Sequence, residues 1–114
     1  MGPRRLGFLL AALLSFALSG CSGVDFRQAR ICVAVATAVA PSGSSISIRS
    51  VASDPRSDRV VIVEYATARG AAPTAIACAF AGGRLEAGRT ELVAVRTAEG
   101  TLPEWSVGFL RRFL

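Results

Sequence analysis

Three cysteines, Cys21, Cys32 and Cys78, are the residues best equipped for chemistry in this 114-residue chain, and what surrounds them limits that chemistry. A thiolate nucleophile is normally activated by a neighbouring base, and the sequence contains no histidine. Neither a Ser-His-Asp nor a Cys-His site can therefore be assembled, and a zinc site with an imidazole ligand is excluded. The acids are dispersed, so no spacing suggests a carboxylate pair for general acid and base work, or a calcium loop. Glu64 is the one acid set in a strongly apolar run, Val60-Val61-Ile62-Val63-Glu64-Tyr65. A general-base role can be imagined for it, but a cross-strand ion pair with an arginine such as Arg96 is the favoured use. Tyr65 could contact a ligand, though a lone tyrosine on a strand ordinarily belongs to a packed face. Gly82-Gly83-Arg84 lacks the spacing and the following Lys-Ser/Thr of a phosphate loop, and reads as a turn. The expectation is no catalytic residue, no cofactor and no metal.

The N-terminus has the parts of a secretory leader: Arg4 and Arg5 supply positive charge, and Leu6 to Leu18 form a Leu/Ala/Phe-rich apolar run. A membrane-spanning helix needs roughly 20 apolar residues, and this run breaks earlier, at Ser19-Gly20-Cys21-Ser22-Gly23. Leu18-Ser19-Gly20-Cys21, placed after those regions, resembles the lipobox of bacterial lipoproteins, in which small residues precede a lipid-accepting cysteine. That resemblance implies cleavage before Cys21, with Leu18, Ser19 and Gly20 read by the signal peptidase. It also implies diacylglycerol and acyl (palmitate-type) modification of Cys21, and attachment to a membrane. Several acyl chains anchor far more firmly than one, at about 0.8 kcal/mol for each buried methylene. Ser22 stands where lipoproteins retained in the inner membrane often carry Asp, which favours an outer-membrane position facing the periplasm if the cell is Gram-negative. Residues 1–20 are then a cleaved signal peptide, 21–24 a short lipidated tether, and 25–114 a single small domain. So short a tether should hold the domain against the membrane.

A domain of this size buries only a modest core, so a covalent staple would matter. With Cys21 assigned to lipid, Cys32 and Cys78 remain. In an oxidising envelope compartment an even pair is most simply a disulfide, with buried free thiols or a nucleophile as the alternatives. The formal charge of +5 and pI near 10.5 do not argue for nucleic acid. Every basic residue is arginine, as in a chain from a GC-rich coding background. Two of them lie in the leader, and the rest are scattered among acids instead of forming a stripe with interleaved aromatics.

Periodicity and turn chemistry place the elements that must position these residues. Asp25 to Ala40 reads as a helix capped by Asp25 and stopped by Pro41, with Ala29, Cys32, Val33 and Ala36 on its inward face. A strand over Ile31 to Val39 is the alternative. Four extended segments follow: Ser44 to Val51, Arg59 to Ala68 (central, because it is apolar on both faces), Thr74 to Ala81 with Ile76, Cys78 and Phe80 on one face, and Thr90 to Thr97. In the last of these, Leu92, Ala94 and Arg96 alternate with Val93, Val95 and Thr97. Thr101-Leu102-Pro103-Glu104 fits a capping box for a C-terminal amphipathic helix. There Trp105, Phe109 and Phe113 recur at every fourth residue, and burial against the sheet is their expected use over a partner or membrane face. The expected fold is α+β, a four-stranded antiparallel meander with an N-terminal and a C-terminal helix packed on one face.

A small domain held at a bilayer without catalytic groups points to an envelope lipoprotein that works by interaction. It would be an accessory or assembly subunit with an envelope protein as its partner. The alternative is a periplasmic module that binds a small molecule, lipid or glycan on the sheet face away from the helices.

Overall fold

The computed structural model describes residues 23–41, 43–67 and 72–114. Leu18, Ser19, Gly20 and Cys21 lie outside the described residues, as does the rest of the leader. Helix α1 (Phe26–Val39) begins where Asp25 accepts hydrogen bonds from the Arg27 and Gln28 amides at 2.9 and 3.1 Å, satisfying two of the donors that a helix start leaves open. A five-stranded antiparallel sheet follows in sequence order: β1 (Ser47–Asp54), β2 (Ser57–Ala66), β3 (Thr74–Phe80), β4 (Leu92–Thr97) and β5 (Gly100–Thr101). Helix α2 (Glu104–Phe113) closes the chain. The α+β meander flanked by two helices is thus the architecture of the domain, with one more strand than the alternating pattern indicates. The two-residue β5 is too short to register as a periodic segment.

One sheet face carries the core. Val61, Val63 and Tyr65 of β2 lie beside Ile76, Cys78 and Phe80 of β3, in the register Val61 to Cys78 and Val63 to Ile76. Cys32, Val35 and Ala36 of α1, and Val107 and Leu110 of α2, pack onto the same cluster. Both helices therefore cover the same face. In β4 the strict alternation fails: Ala79 pairs with Ala94 but Phe80 pairs with Leu92, so Val93 is an extra residue in the ladder. This bulge lets Leu92 and Val95, three residues apart, both turn into the core.

The buried face of α1 is also rotated from the expected one. Gln28, Cys32, Val35 and Ala36 are buried, while Ala29 and Val33 are only half-buried. The cause is polar: the Gln28 side-chain amide donates to the Gly82 carbonyl at 2.9 Å and fastens α1 to the β3–β4 loop. That loop also needs its glycines, because a side-chain carbon on Gly82 would overlap the Ala87 carbonyl oxygen.

Cys32 and Cys78 form a disulfide between α1 and β3 with a Cα–Cα distance of 5.8 Å, and both are fully buried. Their separation of 46 residues corresponds to about 4 kcal/mol of stabilisation on the chain-entropy model. Equilibrium denaturation in the presence of reductant should therefore show a stability lower by about that amount. A midpoint indifferent to reductant would contradict the staple.

Candidate functional site

Among the described residues, nothing covers the sheet face opposite the helices. Across it runs a row formed by Ala52, Ile62, Ala77, Arg96 and Thr101, each paired with the next. A second row joins Val60, Ala79 and Ala94. A shallow depression of about 270 Å³ lies over these rows, floored by alanines and edged by Arg96 and Asp54. Small and β-branched side chains, with few long charged ones, make this an apolar plane.

Glu64 sits exposed on this face opposite Ala75, and it makes no ion pair among the described residues. Arg96 pairs with Ala77, so all of β3 intervenes between β2 and β4, roughly 10 Å of sheet. The expected Glu64–Arg96 bridge is therefore not formed. The ion pairs that exist are Arg59–Glu86 at 3.3 Å, Arg111–Glu91 at 3.7 Å and Arg89–Asp25 at 3.9 Å. Among the described residues no group of three or more His, Cys, Asp or Glu side chains could hold a metal ion. Nor is any described helix long and apolar enough to cross a membrane.

The helix layer departs most from expectation. Trp105, Phe109 and Phe113 are 77, 61 and 67% exposed, while Val107 and Leu110 supply the buried face of α2. The helix has two apolar stripes, one aliphatic and one aromatic, and the aliphatic one packs on the sheet. The outward stripe amounts to on the order of 400 Å² of aromatic surface, within the roughly 300–600 Å² of the largest apolar patch on an ordinary monomer, which is often functional. Phe109 and Phe113 touch each other, with ring centroids 4.6 Å apart. The capping box is also absent. Thr101 is held in β5, and the helix is capped by the Pro103 backbone without a side-chain bond. Leu102 continues the strand pairing by donating its amide to the Val95 carbonyl at 2.9 Å, which keeps Thr101 from turning inward as a cap.

Between α1 and α2 lies a groove of about 480 Å³, lined by Arg27, Arg30, Ile31, Ala34, Thr90 and Leu114. Its Arg27 and Arg30 belong to the first turns of α1, close in sequence to Gly23, where the described residues begin. There the Gly23 carbonyl accepts a hydrogen bond from the Ser53 hydroxyl, and Asp25 meets Arg89 of the β3–β4 loop. Phe26, 73% exposed, stands at the same corner beneath the Arg30 guanidinium, which lies 5.8 Å from its ring centroid.

Tyr65 belongs to the core face. Burial, and secondarily the Glu99 carboxylate, raise its phenol above the ordinary value of 10.0. The folded chain thus holds this proton more tightly than the unfolded chain. The associated stability is fully present below about pH 10 and is lost as pH rises through the folded value. Tyr65 is the chain's single tyrosine, so ultraviolet titration reads it alone. Its midpoint should fall to the ordinary value in denaturant, and identical midpoints folded and unfolded would refute the assignment.

Compared with protein-family models, with curated proteins and with solved structures, the chain matches none.

Proposed function

We propose that this chain is a lipid-anchored protein of a bacterial envelope that acts by interaction, as an accessory or assembly subunit of a membrane complex, and catalyses no reaction. The leader ending in Leu18-Ser19-Gly20-Cys21 supports the anchoring, and a buried disulfide in so small a domain suits an oxidising exported compartment. The observation that carries the interaction reading is the uncovered apolar plane of Ala52, Ile62, Ala77, Ala79 and Ala94. Its short side chains make a flat surface on which a partner could lie, with Arg96, a residue type enriched at interfaces, in the same row. With Ser22 after the lipid-accepting cysteine, the favoured address is the outer membrane facing the periplasm, in a Gram-negative cell.

A second reading uses the same face for a small molecule, lipid or glycan, in the depression of about 270 Å³. That depression is shallow and floored by alanines, with Arg96, Asp54 and Thr101 as its polar side chains, which favours the protein contact. A ligand that reproducibly raised the melting temperature would reverse this preference.

Affinity purification from detergent-solubilised envelopes should recover one recurrent protein partner. Ala77→Arg with Ala94→Arg should reduce that recovery several-fold while leaving thermal unfolding close to that of the parent, because both side chains would project from the uncovered face. Failure to recover any partner in repeated purifications would count against an interaction role.

A further inference from the structure

The aromatic stripe of α2 points away from the core, and we infer that its second apolar medium is the bilayer. On this inference Trp105, Phe109 and Phe113, together with Phe26 of α1, dock the helix layer onto an anionic membrane surface beside the lipid anchor. The inference rests on the reading of Cys21 as lipidated and adds to it the face by which the domain meets the membrane.

Three observations select the bilayer as the occupant. The first is where the chain outside the described residues ends. Gly23 lies two residues after Cys21, a reach of roughly 7 Å at full extension, and it is tied to β1 through Ser53. An anchor so close must bring the α1 N-terminus to the headgroups. Phe26 is the first residue of α1, and the groove that the helix shares with Leu114 of α2 begins at the next residue, Arg27.

The second is charge. Asp25 and Glu91 are engaged by Arg89 and Arg111, whereas Arg27, Arg30 and Arg112 have no carboxylate partner among the described residues. The helix layer therefore offers free guanidinium groups near the tether, which suit lipid phosphates. Of the acids without an arginine partner, Glu64 belongs to the opposite sheet face and Glu99 to the β4–β5 turn, while Glu104 stands in the first turn of α2, at the end of the helix away from Arg111 and Arg112.

The third is the residue set. An in-plane interfacial helix carries Trp, Phe and Leu on one face with arginine alongside, and indole and phenyl rings settle at headgroup depth. Helix α2 has that set, with Arg111 and Arg112 in its last turn. A helix that is apolar on two sides needs two apolar surroundings, and the sheet supplies only one.

Trp105 is the sole tryptophan of the chain, so its fluorescence reports this face alone. The test uses the full chain, expressed with its leader, purified from membranes and reconstituted into phosphatidylethanolamine–phosphatidylglycerol vesicles. Relative to the denatured chain, Trp105 emission should shift to the blue, quenching by aqueous acrylamide should fall several-fold, and brominated acyl chains should quench it. Phe109→Ser with Phe113→Ser, both at exposed positions, should reduce the bromolipid quenching several-fold without releasing the anchored protein. Full acrylamide access with no bromolipid quenching would overturn the inference. Protection from acrylamide without bromolipid quenching would also overturn it, assigning the face to a second copy or another protein. Palmitate labelling of the same preparation tests the anchor separately. If no label is incorporated, the anchor reading fails, and bromolipid quenching of the unlabelled chain added to vesicles still decides for or against docking.

Discussion

The bond between Cys32 and Cys78 holds the rest of the molecule in place. It joins the middle of α1 to the middle strand of the five, with Val61 and Val95 as the neighbours of Cys78 across the sheet. A domain this small has few other ways to fix a helix on a sheet, because its core is little more than a dozen side chains deep inside a thin two-layer stack. Once α1 is pinned, Gln28 reaches the Gly82 carbonyl and Asp25 comes within range of Arg89. These contacts determine where the N-terminal tether leaves the domain. The staple acts at the level of packing, and its consequence is an orientation.

That orientation gives the two sides of the sheet different surroundings. The helix layer presents aromatic rings and arginines without an ion-pair partner among the described residues, and in the proposed docking it faces the membrane. The open face, paved with alanine and β-branched residues, looks the other way. A lipoprotein that sits on its helices would leave this face free for a partner, and the separation of the two surfaces follows from both helices packing on one side. Tyr65 is sunk in the core, and Glu64 stands alone in solvent.

Much of the fold was legible because its signals are local or periodic. Asp25 caps α1 where a short acceptor precedes an alanine-rich run, and the turn at Asp54-Pro55-Arg56 forms with Asp54 accepting from the Arg56 amide at 2.8 Å. Ile76, Cys78 and Phe80 alternate inward as their spacing indicates. What escaped depends on contacts distant in sequence. The bulge at Val93 is a property of the β3–β4 ladder and breaks an alternation that looks regular in one strand. Gln28 is buried because a loop carbonyl 54 residues away receives its amide, so a rule that sorts residues by polarity places it outside. The orientation of α2 was undetermined in principle. Val107, Leu110 and Leu114 satisfy the helical period as well as Trp105, Phe109 and Phe113 do, and only packing over β4 chooses between them. The capping box was lost to β5, since the Leu102 amide bonds the Val95 carbonyl and commits Thr101 to a strand.

In the proposed lipoprotein the three cysteines divide their chemistry, Cys21 going to lipid and Cys32 and Cys78 to each other. The intact mass of the mature protein, extracted from membranes without reductant, tests this most directly. The mature chain should begin at Cys21, carry the added mass of a diacylglyceryl group with or without a further acyl chain, and be lighter by two hydrogens than the same chain after reduction. A mature protein that retains the leader or lacks lipid, or whose mass does not change on reduction, would contradict it.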